Sequence, residues 1–238
     1  MTEVRPTLRE RRRQDLTAEI KAAARARLAA DGLAALSLRA VARDVGMAVS
    51  ALYRYFSSRD DLVTELLVDA YTAQAEAVEA AVAATEGGPV PRLRAALVEF
   101  RAWSLAHPVE YGLMYGDPLP GYQAPTDRLL RPGTRVATTL YGLVDAASRA
   151  GRLDPAVAAA RRDRLPAGHV DQLDRWRRRR LPDMELDAVV VTVDLWTRMQ
   201  GLLTLEVFGQ LRPVLPDATA YFTAALDDAL AAAGLRAG

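Results

Sequence analysis

The 238-residue sequence predicts an all-α protein, with a small three-helix head at the N-terminus joined to a larger helical domain. Good helix formers, above all alanine, leucine and arginine, fill almost every segment. No segment sustains the alternation of apolar and polar residues that a half-buried strand requires. Glycines, prolines and capping residues divide the chain into pieces of helical length. Half of the residues are hydrophobic, which is enough for a substantial core.

The first 14 residues are rich in arginine and predict a flexible basic arm. Helix one is predicted from about Leu16 to Asp31, because Gly32 is a natural C-terminal stop. Its inward positions are Ile20, Ala23, Ala24 and Leu28.

Helix two begins after Ser37, a good N-cap, and ends at Gly46. A third helix follows from about Ala48 to Phe56. Ser58, with Asp61 three residues on, predicts a capping-box-like start for a fourth helix that runs to about Ala84.

The rest of the chain predicts further helices separated by Pro- and Gly-rich breaks, of which residues 116–125 form the clearest loop. These helices are Pro91–Ala106, Pro108–Tyr115, Thr134–Ala150, Asp154–Arg164, Gly168–Arg180, Glu185–Gly209 and Pro216–Ala233.

Composition argues against several classes of protein. Without cysteine the chain has no disulfide, thiolate nucleophile or cysteine-based zinc site. Neither His107 nor His169 has a Ser or Cys partner at a known catalytic spacing, and no phosphate-cradling glycine motif occurs. We therefore expect no catalytic residues, no metal and no cofactor. Without a signal-like N-terminus, and with charges interrupting its longest apolar stretch, the chain is expected to be cytoplasmic and not to contact membranes.

Charge is distributed unevenly. Residues 1–60 contain 12 basic and 7 acidic side chains, whereas the remainder contains 19 basic and 23 acidic ones. A basic head on an acidic body suits a module that binds phosphates. Lys21 is the only lysine among 31 basic residues, so single arginine clusters carry little weight by themselves.

Helices two and three, separated by a tight turn at Gly46, have the layout of a helix-turn-helix, whose second helix enters the DNA major groove. The predicted domains are therefore an arm (residues 1–14), a helix-turn-helix head (15–62) and a helical body (63–238).

Three segments together resemble the DNA-binding domain of the TetR (tetracycline-repressor-like) family of bacterial regulators. They are Ala-Ala-Arg-Ala-Arg-Leu-Ala-Ala-Asp-Gly-Leu (23–33), Ser-Leu-Arg-Ala-Val-Ala-Arg-Asp-Val-Gly (37–46) and Leu-Tyr-Arg-Tyr-Phe-Ser-Ser-Arg-Asp-Asp-Leu (52–62). Residues 106–118 and 196–209 resemble one C-terminal subgroup of that family, known for its Trp, His and Gly residues. Gln200 stands where the subgroup has a histidine before glycine.

The resemblance implies an all-α homodimer whose larger domain binds a small molecule that relieves repression. It also implies that Tyr53, Tyr55 and Arg59 contact DNA phosphates. A tyrosine packed into the head core is the alternative for either phenol.

Other candidate DNA contacts follow from position. Val49, Ser50 and Ala51 open the recognition helix, where side chains face base edges. Arg39 is a candidate for guanine or for a phosphate, and Arg54 for a phosphate or for solvent. The arginines of the arm lie along DNA or merely keep the chain soluble; they are Arg9, Arg11, Arg12 and Arg13.

Aromatic and polar residues at helical spacing in the body are candidates for a largely apolar effector pocket, although plain core is the usual meaning of such a stripe. The candidates are Trp103, His107, Tyr111, Met114, Tyr115, Trp196, Met199 and Gln200, with Glu206 as a further polar anchor. The arginine run 175–180 favours a solvated helix face over a second nucleic-acid patch.

The last two predicted helices carry apolar stripes that suit a four-helix interface between two protomers, or else an internal core pair. Together these features predict a regulator that binds palindromic double-stranded DNA as a homodimer, and the resemblance implies that it is a repressor. The alternative is a DNA-binding dimer that needs no ligand, whose body only dimerises or binds a protein partner.

Overall fold

The computed structural model describes residues 7–116 and 121–236. Eleven α-helices occur in these two ranges. They are α1 (Leu8–Asp31), α2 (Leu38–Asp44), α3 (Val49–Leu52), α4 (Arg59–Ala84), α5 (Pro89–Ala106), α6 (Pro108–Tyr115), α7 (Thr126–Arg149), α8 (Pro155–Asp163), α9 (Ala167–Arg180), α10 (Leu186–Val207) and α11 (Thr219–Ala232). The all-α prediction is confirmed, and no described helix is long and apolar enough to cross a membrane.

The prediction of a flexible arm over residues 1–14 is wrong from Leu8 onward, because α1 already begins there. Thr7 and Glu10 form a capping box: the Glu10 amide donates to the Thr7 hydroxyl at 3.3 Å, and the Thr7 amide donates to the Glu10 carboxylate at 2.7 Å. These bonds satisfy amides that a helix start leaves unpaired. Residues 1–6 lie outside the described residues.

The predicted helix at Thr134–Ala150 begins earlier than expected, at Thr126, and Pro132 lies inside it. Proline removes a backbone hydrogen bond and usually ends a helix. Here the first turns of α7 are held by Arg128, whose guanidinium donates to Asp61 at 2.8 Å and also binds Glu65. Part of the predicted loop, residues 117–120, lies outside the described residues, and residues 122–125 are not helical.

The chain forms two compact units, which do not follow the predicted boundary at residue 62. Unit 1 contains residues up to 72 together with 109–133, and unit 2 contains 73–108 and 134 onward. The described residues of the segment 109–133, which are 109–116 and 121–133, therefore pack with the head in contacts that sequence spacing does not reveal.

Unit 1 is built around one hydrophobic cluster. Ile20, Ala24 and Leu28 of α1 are buried in it, as predicted, and so are Leu52 and Phe56. Val109, Leu113 and Met114 of α6 pack against the same cluster. The long helix α1 and the short helices α2 and α3 of the head are thus held together by apolar burial.

In unit 2, α10 is the central helix and contacts α5, α8, α9 and α11. Its buried residues include Val189, Leu195 and Leu203. Asp154 caps α8 by accepting hydrogen bonds from the amides of Ala156 and Val157.

Candidate nucleic-acid interface and effector groove

The turn between α2 and α3 depends on Gly46, whose φ of 66° lies in the left-handed region that favours glycine. The Met47 amide donates to the Ala42 carbonyl at 2.9 Å, and the Gly46 amide donates to the Arg43 carbonyl at 3.3 Å. This pair of bonds closes α2 in a Schellman motif and aims the chain into α3.

The recognition helix is shorter than predicted. Regular α-helix covers only Val49–Leu52, and turns continue it to Tyr55. The amide of Tyr55 bonds the carbonyl of Leu52 at 2.8 Å, a tighter repeat than that of an α-helix. Leu52 in the middle of the segment and Phe56 directly after it are buried in the core, so this short segment is held rigidly.

The predicted DNA contacts are not equally accessible. Arg39, Ser50, Tyr53 and Arg54 are exposed, with Tyr53 at 53%. Val49 and Tyr55 are half-buried and pack against the head core, and Ala51 is half-buried too. The exposed face of this segment therefore consists mainly of Ser50, Tyr53 and Arg54.

Arg59 has a structural partner. Its Nη2 donates to the Leu33 carbonyl at 2.7 Å and ties the start of α4 to the 3₁₀ turn after α1. The predicted N-cap is confirmed, since the Asp61 amide donates to the Ser58 hydroxyl at 3.0 Å.

Ion pairs brace the helices of unit 1. Arg27 of α1 binds Asp44 of α2 and holds the pKa of that carboxyl below its usual value. Burial alone raises the pKa of Glu65, but hydrogen bonds from Lys21 and Arg128 outweigh burial and lower it.

The eight predicted effector residues are divided between the two units. Tyr111, Met114 and Tyr115 belong to unit 1, whereas Trp103, His107, Trp196, Met199 and Gln200 belong to unit 2.

Within unit 1, Tyr111 is fully buried and its ring lies 5.0 Å from that of Tyr115. Burial raises the pKa of Tyr115 far above its usual value. Tyr71 contacts Tyr115 edge to face and donates to the Met114 carbonyl at 3.4 Å. These residues form an aromatic cluster beside the head.

Within unit 2, Trp103 is buried and stacks on His107 at 4.5 Å. His107 ends α5, where its amide bonds the Trp103 carbonyl at 2.9 Å. Trp196 packs on Phe100 at 5.0 Å, and Met199 is buried. Glu206, a suggested polar anchor, forms an ion pair with Arg101.

An open groove of about 530 Å³ lies between α8, α9 and α10 in unit 2. Its walls are mostly apolar, and none of the eight predicted effector residues lines it. The lining residues are Arg161, Leu165, His169, Gln172, Leu173, Trp176, Val190, Val193, Asp194 and Thr197.

The groove could not be predicted from the sequence, because its aromatic residue Trp176 stands inside an arginine run. The residues of this run have different roles in the structure. Trp176 packs on Tyr141 at 5.5 Å, and Arg177 donates to the carbonyls of Pro182 and Met184, closing the end of α9. The other arginines of residues 175–180 are exposed, in agreement with a solvated face.

Among the described residues, no three His, Asp or Glu side chains come together in a cluster that would hold a metal ion.

Comparison with known proteins is consistent with this geometry. Residues 20–66 match the model described as bacterial regulatory proteins of the tetR family, and residues 93–229 match that of the tetracyclin repressor-like C-terminal domain. The chain is 37% identical over 204 residues to the HTH-type transcriptional regulators Mb1846 of Mycobacterium bovis and Rv1816 of Mycobacterium tuberculosis, covering 83% of each chain.

The fold is also similar to solved structures. The crystal structure of the regulatory protein SCO4313 matches with a TM-score of 0.73 and 36% identity, over 94% of this chain and 100% of the other. The SmeT–triclosan complex matches with a TM-score of 0.64 at 18% identity, over 94% and 96% of the chains, which is a likeness of fold. The helix-turn-helix built around Gly46 and the two family matches lead to one conclusion: the chain belongs to the TetR family of helix-turn-helix transcriptional regulators.

Proposed function

We propose that this regulator is a homodimeric repressor that binds a palindromic operator through α3 and is released from it by a small, largely apolar molecule. The observation that carries the DNA-binding half is the rigid, exposed segment with Ser50, Tyr53 and Arg54 at its surface. In this role the regulator carries out no catalytic or cofactor-dependent step. It acts in the cytoplasm, where the DNA is.

Few side chains of this segment can distinguish one DNA sequence from another. Ser50 bonds either kind of base, and the small side chains of Val49 and Ala51 suit contacts with a thymine methyl group. Tyr53 suits a phosphate oxygen, which positions the protein without reading sequence. We infer that Arg39 and the shape of the DNA supply much of the specificity.

Selection of bound sequences from random DNA tests this half. We expect an enriched palindrome whose half-sites lie one helical turn apart, roughly 34–36 Å, or a multiple of it. Arg39→Ala should relax the preference at one position of each half-site, whereas Arg164→Ala, an exposed arginine of unit 2, should not. Binding with no sequence preference would refute the proposal.

The groove between α8, α9 and α10 supports the ligand-responsive half. Its volume of about 530 Å³ falls in the range of small-molecule sites, roughly 300–1,000 Å³. Leu165, Leu173 and Val193 supply apolar walls, and Trp176 adds an aromatic one.

Polar groups at one side of the groove could orient a bound ligand. Arg161 binds Asp194 and donates to the Ala232 carbonyl at 2.6 Å, while its buried Nε has no hydrogen-bond partner among the described residues. Asp194 also pairs at 2.9 Å with Arg198, which lies outside the lining, so its charge is shared between two arginines. An apolar molecule with one hydrogen-bond acceptor therefore fits best.

A library of such compounds, screened by thermal shift and then by release of operator DNA, tests the groove. We expect hits on the wild type that Val193→Phe abolishes by filling the groove, while operator affinity is unchanged. Ala167→Phe, an exposed position of α9 outside the lining, is the matched control.

Two results would change the proposal in different ways. If the hits release Val193→Phe as well as wild type, the effector binds elsewhere, and the Trp103 and Trp196 surroundings become the candidate. If no compound releases the wild type, the ligand-independent dimer is favoured.

A further inference from the structure

The N-terminal turns of α1 carry arginines on one side of the helix. Arg9, Arg12 and Arg13 stand at positions i, i+3 and i+4, which share a face; we name them the basic face. The capping box at Thr7 and Glu10 starts the helix, and the same helix continues without a break to Ile20, buried in the head core. The basic face is therefore fixed to the head.

The basic face lines a groove together with the end of the recognition segment. The groove has a volume of about 720 Å³, and its lining residues are Leu8, Arg9, Arg12, Arg13, Leu16, Arg54 and Tyr55. Leu16 and Tyr55 pack against the head core and form its apolar floor. Four guanidinium groups from two elements thus surround one groove beside α3.

Three other arginines of unit 1 have carboxylate partners, unlike these four. Arg25, Arg27 and Arg128 each pair with carboxylates. Within residues 7–116 and 121–236, no carboxylate pairs with the guanidinium of Arg54 or with any member of the basic face. The groove therefore concentrates positive charge that no carboxylate of the described residues neutralises.

This arrangement costs stability. Like charges at i, i+3 and i, i+4 destabilise a helix by about 0.2–0.5 kcal/mol per pair. Cations in the first turn also oppose the helix dipole, whose N-terminal end is positive. A polyanion in the groove would reverse both effects.

We propose that the basic face and Arg54 form a fixed clamp on the DNA sugar-phosphate backbone beside the bases that α3 reads. This inference rests on the proposed operator binding. Arg9 and Arg13 lie about 6 Å apart along the helix axis, close to the rise of roughly 7 Å along the DNA axis between alternate phosphates of one strand. The basic face precedes the segment 20–66 matched by the family's DNA-binding model, whereas Arg54 lies within it.

The clamp has a defined signature, because binding to phosphates raises affinity for all sequences alike. In the triple variant Arg9→Ala, Arg12→Ala, Arg13→Ala we expect operator binding at about 0.1 M salt to weaken roughly tenfold or more. The plot of log K against log salt should become shallower by about 0.9 for each phosphate that the variant no longer neutralises. The ratio of operator to mutated-operator affinity should stay the same.

Two matched variants separate a local effect from net charge and from structure. Arg175→Ala, Arg179→Ala, Arg180→Ala removes the same charge from exposed positions of α9 and should leave the salt slope unchanged. Replacing the three arginines of the basic face by lysine keeps the charges and should retain most of the slope. An equal effect of both alanine triples would overturn the clamp.

A third variant tests whether the helix must be rigid. Gln14→Pro keeps every arginine but breaks the helix between the basic face and Ile20, since proline removes a backbone hydrogen bond. We expect it to weaken DNA binding nearly as much as the alanine triple. Unchanged binding would overturn the fixed clamp in favour of a flexible arm. Failure of the wild type to bind any DNA would instead refute the proposed function.

Discussion

At the scale of single residues, the backbone angle of Gly46 determines the turn that places α3 in the candidate DNA interface. A Cβ at this position would meet nothing within 4 Å, so only its φ of 66° disfavours another residue. Gly46→Ala should lower the free energy of unfolding by about 1–2 kcal/mol, the penalty for the left-handed region. Gly46→Asn should lose less, because asparagine tolerates this conformation. Urea unfolding measures the difference, and equal losses for both variants would contradict the argument.

The two tyrosines beside α3 have different surroundings, although both are predicted from the sequence to bind phosphates. Tyr53 is half exposed, whereas Tyr55 packs against the head core. Tyr53→Phe should weaken DNA binding about tenfold, since a hydrogen bond to a charged phosphate contributes about 1.5 kcal/mol or more. Stability should be unchanged.

Tyr55→Phe is the matched control, because it removes a hydroxyl and keeps the ring that packs on the core. We expect a smaller reduction of DNA affinity in a titration at fixed salt. A larger reduction for Tyr55→Phe than for Tyr53→Phe would reverse the assignment.

At the scale of helices, α1, α4 and α7 are joined in unit 1 by a network of charges. Lys21 binds Glu65 and Asp69, and Arg128 binds Glu65 and Asp61. Burial raises the pKa of Asp61, but hydrogen bonds from Arg128 and Ser57 outweigh it, and the pKa is lowered from 3.8. The network holds the first turns of α7 in place despite Pro132.

The direction of these shifts predicts how stability depends on pH. The pKa values of Asp61 and Glu65 are lowered from 3.8 and 4.5, so both carboxylates contribute stability above those values. This contribution disappears as the pH falls below about 4 through the lowered folded-state values. In Glu65→Gln, the free energy of unfolding measured with denaturant should depend less steeply on pH between about pH 2 and pH 6. Glu19→Gln, at an exposed position of α1, should leave this pH dependence unchanged.

Helix boundaries show which local signals are decisive. The bounds of α6 and the cap at Ser58 are predicted correctly, and α8 is predicted to within one residue at each end, because caps and prolines act within a few residues. Thr7 and Glu10 carry a capping signal of the same kind for α1. The density of arginines nevertheless predicts a flexible arm there, and that prediction is wrong from Leu8 onward. The start of α7 cannot be found from its neighbours in sequence, because Arg128 reaches carboxylates more than 60 residues away.

At the scale of the whole molecule, the proposed dimer depends on what α10 and α11 leave exposed. Leu205 of α10 and Tyr221 of α11 are 40% and 51% exposed. Gly201, Ala220 and Ala224 are exposed too, and such small residues permit helices to approach closely. These positions support an interface through the last two helices.

Leu205→Glu tests that interface by placing a charge in it. We expect a monomer by size-exclusion chromatography with light scattering, and loss of operator binding, since each half-site alone is held weakly. Val98→Glu alters an apolar residue of α5 that is also 40% exposed, and it should remain dimeric and bind DNA. A dimer that persists in Leu205→Glu would place the interface elsewhere.

Release by an effector is also a property of the whole molecule. A ligand shifts DNA affinity only by its difference in affinity for the two conformations, typically about 1–3 kcal/mol, or roughly 5- to 150-fold. The factor by which a groove ligand weakens operator binding should therefore equal the factor by which operator DNA weakens binding of that ligand. Unequal factors in equilibrium titrations would show that release is not simple coupling.

The sequence by itself determined the all-α class, the helix-turn-helix and the family, because helical periodicity, caps and the glycine turn are written in neighbouring residues. It also determined that Ile20, Ala24 and Leu28 belong to the core. Only the tertiary structure decided which distant residues meet: the basic face with Arg54, residues 109–133 with the head, and Trp176 with Val193 in the groove. Such meetings depend on how helices pack, and packing brings together side chains that no local pattern relates.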